Sequence, residues 1–139
     1  MEVGCGSGYY CEALSYMLDI PYRYMGMDIA EDRISIARSR YPSVPFLVGD
    51  AIQLPFLSRS VDIAFNGGAL THLVEHEAGI AECARISKRW CIFHLVPVIQ
   101  RRGTSYIQKR AYGEPTAEVV FNEDSLLSCF EANGLAIRE

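Results

Sequence analysis

The pattern of apolar and polar positions along the chain predicts helices that alternate with strands. Apolar residues recur at helical spacing in three segments, which are residues 9–18, 31–40 and 73–88. Short apolar runs, each suited to a strand, occupy residues 1–3, 23–27, 44–48, 61–65 and 90–96. The last of these runs is almost continuous, which is typical of a strand buried on both faces of a sheet.

The pattern changes in the C-terminal third of the chain. Residues 98–116 are polar and basic and are longer than a typical connection, so we expect a loop there. A further helix is predicted over residues 122–133, with Asn122 as its N-cap and Gly134 after its last turn. Residues 135–137 are apolar enough to begin another strand.

Strands that alternate with helices predict an α/β fold. We expect a Rossmann-like, doubly wound and mostly parallel sheet with right-handed crossovers and helices on both faces. The length of 139 residues predicts a single domain over residues 1–139. The first strand keeps only about residues 1–3, so the chain starts where a longer protein of this fold would already be under way.

Composition and charge exclude several classes of protein. Half of the residues are hydrophobic, 22% are charged and the formal net charge is −4, which is ordinary for a globular domain and does not favour a general nucleic-acid surface. No apolar run reaches the roughly 18 residues that cross a bilayer, and the N-terminus does not resemble a signal peptide. We therefore expect a cytoplasmic protein with no membrane partner.

The five cysteines are scattered, without a C-x-x-C pair or a His/Cys cluster at metal spacing. We expect reduced and mostly buried thiols, a reducing compartment and no metal site.

The first candidate for chemistry is the glycine-rich turn at the start of the chain. Glu2, Gly4, Gly6 and Gly8 fit the pattern E-x-G-x-G-x-G and lie directly before the first predicted helix. Glycines let the backbone turn sharply and approach a ligand closely at a helix N-terminus. The turn therefore predicts a nucleotide-type binding site, in which Glu2 orients the loop or faces a positively charged ligand group.

Carboxylates at the ends of the next two strands extend this candidate site. Asp28 lies 20 residues beyond Gly8 and can accept hydrogen bonds from both ribose hydroxyls of a nucleoside. Asp50, or its neighbouring backbone amide, can read the edge of an adenine. Each feature alone is also common in ordinary turns and helix caps, but their combination in one β-α-β-α-β segment is more specific.

Taken together, these motifs resemble those of the class I S-adenosylmethionine-dependent methyltransferases of the small-molecule type. The resemblance rests on residues 2–8, on Gly26-Met27-Asp28-Ile29, on Gly49-Asp50-Ala51 and on the passage from Leu54 to Phe65. It covers residues 1–98 well and residues 122–139 more loosely. It implies S-adenosyl-L-methionine as the cofactor, and a family fold whose final antiparallel strand this chain lacks.

The resemblance also implies the residues of the cofactor site. The glycines would hold the methionine part, Asp28 the ribose, and Asp50 with Ala51 the adenine, whereas Asn66 and Gly67 would lie beside the sulfonium. The full set is Glu2, Gly4, Cys5, Gly6, Gly8, Asp28, Ile29, Asp50, Ala51, Asn66 and Gly67.

An NAD(P)-dependent oxidoreductase is the main alternative, because it also combines a glycine turn with an acid near this spacing. Its G-x-G-x-x-G motif would require a glycine at position 9, where this chain has Tyr9, and no Tyr-x-x-x-Lys pair is present. The spacing therefore favours the methyltransferases.

Methyl transfer from a sulfonium needs little acid–base chemistry, so a catalytic residue is hard to identify from sequence. His72 is a weak candidate for a general base if the acceptor is a hydroxyl, and a bond to solvent or backbone explains it as well. His76 lies four residues after His72 on the same predicted helix face, but no third ligand completes a metal site with them. We expect His94 to be a packed, hydrogen-bonded core residue.

Sequence features around the fourth strand limit the acceptor. The chain has Asn66-Gly67-Gly68-Ala69 there, which matches neither amino-directed DNA methylation nor cytosine chemistry with a Pro-Cys nucleophile. Residues 98–116, with Tyr106 and Tyr112 among basic residues, are the candidate substrate lid for an acidic or phosphorylated acceptor. A solvated loop explains those charges equally well.

The leading hypothesis is a methyltransferase for a small-molecule acceptor. The alternative is a non-catalytic cofactor-binding fragment or module of a larger protein. Its open sheet edges would favour self-association.

Overall fold

The computed structural model describes residues 1–111 and 113–138. Its strands are β1 (Glu2–Val3), β2 (Gly26–Asp28), β3 (Phe46–Val48), β4 (Val61–Gly67), β5 (Ser87–His94), β6 (Val98–Ile99), β7 (Ser105–Ala111) and β8 (Glu114–Asn122). Its α-helices are α1 (Tyr9–Met17), α2 (Glu31–Arg40), α3 (His76–Ile86) and α4 (Glu123–Ala132), and a 3₁₀ turn covers Ala69–His72. In the part of the chain so described, no helix is long and apolar enough to cross a membrane.

Five parallel strands form the central sheet in the spatial order β3-β2-β1-β4-β5. The chain runs outward from β1 to β3, and then returns to the other side of β1 to form β4. Ligands of doubly wound sheets bind at this reversal, outside the carboxyl ends of the strands. The α/β fold class predicted from the alternation of elements is confirmed.

Apolar residues pack on both faces of this sheet. On one face, Ile34 and Ala37 of α2 are fully buried against Phe46 of β3. On the other face, Cys83 and Ile86 of α3 pack with apolar residues of β1, β2 and β4. The helices therefore enclose the sheet and leave its carboxyl edge accessible.

The prediction that residues 90–96 are buried on both faces is wrong. β5 is an edge strand, and Trp90 and Ile92 on one of its faces are 49% and 45% exposed. On the opposite face, Phe93 stacks on Phe130 of α4 with ring centroids 5.2 Å apart. A continuous apolar run thus marks a strand here, but only one face of it is covered.

The predicted loop over residues 98–116 is also wrong, because most of that stretch belongs to a second sheet with the order β6-β8-β7. β7 and β8 pair antiparallel, from Ser105 opposite Val120 to Ala111 opposite Glu114. The polar residues of β7 hide the strand in the sequence, whereas alternate residues of β8, Val119 and Phe121, are fully buried. Tyr112 lies outside the described residues.

Two other segments differ from the sequence prediction. In the segment 73–88, α3 begins only at His76 and ends at Ile86, and the last two residues belong to β5. Residues 135–137 form no strand, because Leu135 packs against the cluster of α3, α4 and β8 instead of pairing with a neighbour. By contrast, α2 has the predicted bounds, and α4 follows the predicted N-cap.

Substitution of Asn122 tests how the second sheet and α4 are joined. Its Oδ1 accepts from the Ser125 amide at 3.0 Å, and its Nδ2 donates to the Arg102 carbonyl at 2.9 Å. Asn122→Ala should lower the free energy of unfolding in urea by about 1–2 kcal/mol, the usual contribution of such a cap. Asn122→Asp keeps the oxygen that accepts from the Ser125 amide, so its free energy of unfolding should fall by less than that of Asn122→Ala. Equal stability of Asn122→Ala and the unmodified protein would contradict this role.

Candidate functional site

A cleft of about 750 Å³ lies at the carboxyl edge of the central sheet, where the strand order reverses. It is bounded by the glycine loop, by the ends of β2, β3 and β4, and by the segment that follows β4. Of the residues predicted for the site, those that line it are Glu2, Gly4, Cys5, Gly6, Asp28, Ile29, Asp50, Ala51, Asn66, Gly67 and His72. Gly8 is buried behind the loop, as the N-cap of α1.

The glycine loop leaves β1 with no room for a side chain at Gly4. Gly4 has a φ of +79°, and a Cβ there would lie 2.1 Å from the Cβ of Ala69. Its amide donates to the Met27 carbonyl at 2.7 Å, and the Cys5 amide donates to the same carbonyl at 2.9 Å. The loop is thus fixed between β2 and the 3₁₀ turn.

Asp28 holds both the glycine loop and the start of α2. Its Oδ2 accepts from the Gly6 amide at 2.8 Å, and its Oδ1 accepts from the Ala30 amide at 2.9 Å. Each carboxylate oxygen has a second lone pair, so the side chain can still accept hydrogen bonds from a ligand in the cleft. The sequence predicted the position of this acid but not its hydrogen bonds to the loop.

Asn66 is 3% exposed, and both ends of its amide are bonded to the backbone. Its Nδ2 donates to the Val3 carbonyl at 3.1 Å, and its Oδ1 accepts from the Leu70 amide at 2.8 Å. Asn66 therefore joins β1 to the 3₁₀ turn across the floor of the cleft. This bridging position adds to the ligand-side role that the sequence motif predicts.

Glu2 is a buried carboxylate, 1% exposed, that accepts a hydrogen bond from the hydroxyl of Tyr24. Burial raises the pKa of Glu2 to about 7, although the Tyr24 bond acts in the opposite direction. Its Oε1 lies 3.0 Å from where a Cβ at Gly67 would be. Sequence reasoning missed Tyr24, because nothing in a tyrosine of the segment before β2 marks it as a partner of this acid.

The charge of the cleft is predominantly negative. Its lining contains three carboxylates, Glu2, Asp28 and Asp50, and one arginine, Arg33. Carboxylates stabilise a cationic ligand and oppose a phosphate at the same place. The arrangement suits a positively charged nucleoside better than a dinucleotide.

A pair of charged residues on α3 fixes the loop that follows Asp50. Arg85 donates to the carbonyls of Phe56 and Leu54 at 2.7 and 3.0 Å, and to the Glu82 carboxylate at 2.6 Å. Glu82 also accepts from the Leu54 amide at 2.6 Å. Sequence reasoning missed this pair, for which the Glu-x-x-Arg spacing on a helix was the available signal.

The second sheet meets the cleft through Thr71 and His72. The hydroxyl of Thr71 donates to the Val119 carbonyl at 3.1 Å, and Nδ1 of His72 bonds to the Ala117 carbonyl at 3.0 Å. A carbonyl only accepts, so Nδ1 of His72 carries a hydrogen. The histidine meets the backbone, and its role in catalysis stays a prediction.

The other two histidines lie outside the lining of this cleft. His76 packs edge-on against Phe121, and its Nδ1 bonds to the Val74 carbonyl. His94 is not the packed core residue that the sequence predicted, because it ends the edge strand β5 and is exposed. It is hydrogen-bonded, with Nδ1 2.6 Å from the hydroxyl of Tyr10.

Comparison with known proteins identifies relatives of this chain. The sequence model described as "Methyltransferase domain" matches residues 1–94. A "Probable S-adenosylmethionine-dependent methyltransferase" of Mycolicibacterium smegmatis is 31% identical over 93 residues, which are 67% of this chain and 35% of that protein. A demethylmenaquinone methyltransferase of Chlorobaculum tepidum is 28% identical over 114 residues, 81% of this chain and 45% of that protein.

Solved structures show the same fold. A methyltransferase structure from Methanosarcina mazei superposes with a TM-score of 0.75 at 22% identity, over 95% of this chain and 76% of that one. The chain spans only about a third to a half of the length of the two curated relatives described above.

The buried acid predicts how stability depends on pH. The pKa of Glu2 is about 7 in the folded protein, against an ordinary value of 4.5. Between these values the unfolded chain releases its proton first, so stability falls as the pH rises from about 4.5 to beyond 7. Glu2→Gln cannot ionise and should lose less stability over this range, as measured by urea unfolding at several pH values. Glu31→Gln, at an exposed site, is the control, and an unchanged slope in Glu2→Gln would contradict the assignment.

Proposed function

This chain belongs to the methyltransferase domain family, and from that premise we propose that it binds S-adenosylmethionine in the cleft and directs its methyl group to a small-molecule acceptor. The observation that carries this proposal is the glycine loop bonded to Asp28 at the edge of a cleft lined mainly by carboxylates. The unpaired cysteines support a reducing, cytoplasmic compartment.

The cleft fits this cofactor in size and in charge. Its volume of about 750 Å³ lies within the range of small-molecule sites. The cofactor carries a sulfonium, an amino group and a carboxylate and so has a net positive charge, which Asp28 and Asp50 favour over the negatively charged pyrophosphate of a nicotinamide dinucleotide. The buried Glu2, with a pKa of about 7, adds negative charge as it ionises. A Cβ at Gly6 would meet only Arg33, at 3.8 Å, so the loop leaves open space on its cleft side.

Different residues around the cleft would contact different parts of the cofactor. We propose that the glycine loop holds the methionine part and that Asp28 accepts from the ribose hydroxyls. Asp50 and Ala51 would contact the adenine, with their loop held by Arg85 and Glu82. Asn66 and Gly67 would lie beside the sulfonium, with the Glu2 carboxylate behind them.

The cofactor supplies a methyl group that is already activated, because its positively charged sulfonium leaves as a neutral thioether. The work of this chain is then to align the acceptor with the methyl carbon and to exclude water. Asn66 holds the floor of the cleft by its two backbone bonds, and the second sheet closes the wall beyond His72. These hydrogen bonds restrain the floor and wall against which the acceptor would be aligned.

For the acceptor we propose an apolar aromatic molecule that bears a hydroxyl, of the type of a reduced quinone ring. The cleft wall contains Tyr9, Leu73 and Leu95, which suit such a ring. The Chlorobaculum tepidum relative is named a demethylmenaquinone methyltransferase, and demethylmenaquinone is a quinone. A phosphorylated acceptor has less support, because Lys109 of β7 forms an ion pair with Glu118 of β8.

Calorimetric titration is the direct test of the proposed function. The folded protein should bind S-adenosylmethionine and S-adenosylhomocysteine and should bind NAD much more weakly, because the carboxylates of the cleft oppose phosphates. Failure to bind either sulfur compound, or tighter binding of NAD, would reject the proposal. Cofactor binding without methyl transfer to any acceptor would favour a non-catalytic module.

Substitution of Asp28 tests the ribose contact. Asp28→Ala should weaken S-adenosylhomocysteine binding by about 10- to 100-fold, the effect expected for hydrogen bonds to a charged group. It should also lower the melting temperature, because the amides of Gly6 and Ala30 lose their acceptor. Asp28→Asn keeps one acceptor oxygen, so its affinity for S-adenosylhomocysteine should lie between that of the unmodified protein and that of Asp28→Ala. Asp32→Asn, on the exposed side of α2, is the control. Unchanged affinity in Asp28→Ala would remove Asp28 from this role.

A further inference from the structure

We propose that Tyr10 and His94 together accept the proton that the acceptor hydroxyl loses during methyl transfer. This inference rests on the proposed function and assigns a catalytic pair to the same cleft. Neither residue belongs to the glycine, aspartate or asparagine motifs, and no sequence pattern predicts that they meet. They are 84 positions apart and come together only because α1 packs beside the ends of β4 and β5.

The contact between the two side chains is short and well defined. The hydroxyl oxygen of Tyr10 lies 2.6 Å from Nδ1 of His94, and the rings are perpendicular with centroids 5.8 Å apart. The Tyr10 ring also packs edge-on against Phe65 of β4, with centroids 4.8 Å apart. Tyr10 is therefore held on two sides, which fixes the direction of its hydroxyl.

Tyr10 lies at the end of the cleft where methyl transfer is proposed, and His94 is bonded to it from outside the cleft lining. Tyr10 lines the cleft, and a Cβ at Gly67 would be 2.3 Å from Cε2 of its ring. The glycine at position 67 is thus required for the tyrosine to lie there. Gly67 also pairs with His94 in the register of β4 and β5. Leu95, with a φ of +57°, follows immediately and lines the cleft as well.

The two side chains need each other to move a proton. Burial, together with the nearby Glu2 and Tyr9, raises the pKa of Tyr10, so its side chain stays a neutral phenol. A phenol can take a proton only if it passes its own proton on. An imidazole is the side chain best suited to receive that proton near neutral pH. His94 is exposed, so its other ring nitrogen can release a proton to water.

The step balances as follows for a phenolic acceptor. The acceptor oxygen forms a bond to the methyl carbon while the carbon–sulfur bond breaks, and that electron pair stays on sulfur. The acceptor hydroxyl proton moves to the oxygen of Tyr10, and the Tyr10 proton moves to Nδ1 of His94. The resulting imidazolium then loses its Nε2 proton to solvent, and exchange with water returns the neutral ring to the tautomer with its hydrogen on Nε2 before the next turnover.

His72 is the other imidazole near the cleft, and its geometry is less suitable. Its Nδ1 is bonded to the Ala117 carbonyl of β8, which uses the ring to hold the second sheet. The Tyr10 hydroxyl is bonded to Nδ1 of His94, which can accept a proton when the neutral ring carries its hydrogen on Nε2. The titratable groups that bear on Tyr10 are Glu2 from β1 and Tyr9 from α1, and both favour its neutral form.

The tautomer of His94 tests the pair without any acceptor. We expect nitrogen NMR of histidine-labelled protein, with S-adenosylhomocysteine bound and at a pH near 8, to show His94 protonated at Nε2 and unprotonated at Nδ1. The spectrum of His94→Asn assigns the signal. A neutral His94 that carries its hydrogen on Nδ1 could not receive a proton from Tyr10, and that result would overturn the proposal.

Kinetics test the same pair during turnover, with 1,4-naphthohydroquinone as the probe acceptor under reducing conditions. Tyr10→Phe and His94→Asn should each lower kcat by about 100-fold or more, the usual contribution of general base catalysis, with KM within threefold. His94→Asn keeps an acceptor near the position of Nδ1 but takes no proton, so kcat should fall although the hydrogen bond to Tyr10 can still form. Unchanged kcat in either variant would overturn the proposal.

Two controls separate this inference from the proposed function. Tyr16→Phe removes a hydroxyl from an exposed position of the same helix, and His76→Gln removes an imidazole outside the cleft. Both should leave kcat within twofold. Binding of S-adenosylhomocysteine should be within twofold in all four variants. If the unmodified protein does not bind that compound, the proposed function fails. If the unmodified protein binds that compound but does not methylate the naphthohydroquinone, the quinol-type acceptor is rejected. The NMR tautomer of His94 then tests the role of Tyr10 and His94 by itself.

Discussion

The cleft depends on hydrogen bonds that reach the glycine loop from its neighbours. The amides of Gly4 and Cys5 bond to the Met27 carbonyl of β2 and hold the start of the loop. The carboxylate of Asp28 in β2 bonds to the loop, and the side-chain amide of Asn66 in β4 bonds to the strand end before it, so the restraint comes from both sides. Each uses a side chain at the end of a strand to bond to a backbone group. The positions that are proposed to contact the ligand therefore also build the surface that receives it.

Glu2, the buried acid at the base of the cleft, also affects both the stability of the protein and its binding of a ligand. Glu2 is desolvated, which raises its pKa and makes its charged form unfavourable in the absence of a partner. A cationic ligand would relieve part of that penalty, because it supplies the opposite charge at short range. Stability and affinity are thus coupled through one side chain, with the hydroxyl of Tyr24 as its hydrogen-bond donor.

Much of the fold could be predicted from the sequence, because its first 94 residues alternate regularly between helix and strand signals. The bounds of α2 and the N-cap of α4 were right, since Asp28, Pro42 and Asn122 are local signals. The second sheet was missed because β7 is polar and has no apolar pattern typical of a strand. Its partner β8 can be identified as a strand only from its antiparallel pairing with β7. The predicted site residues lie together, as the rule for strand ends requires. The partners Tyr24 and Tyr10 could not be foreseen, because their roles arise from contacts between distant segments.

The exposed face of β5 gives this protein a built-in optical reporter. Trp90 is the single tryptophan of the chain, and it is half-exposed on the strand that ends in His94. Indole emission shifts to shorter wavelengths when water is removed from the ring. Any molecule that covers this face will therefore change the intrinsic fluorescence of the protein without a label, and it will do so one strand away from the cleft floor.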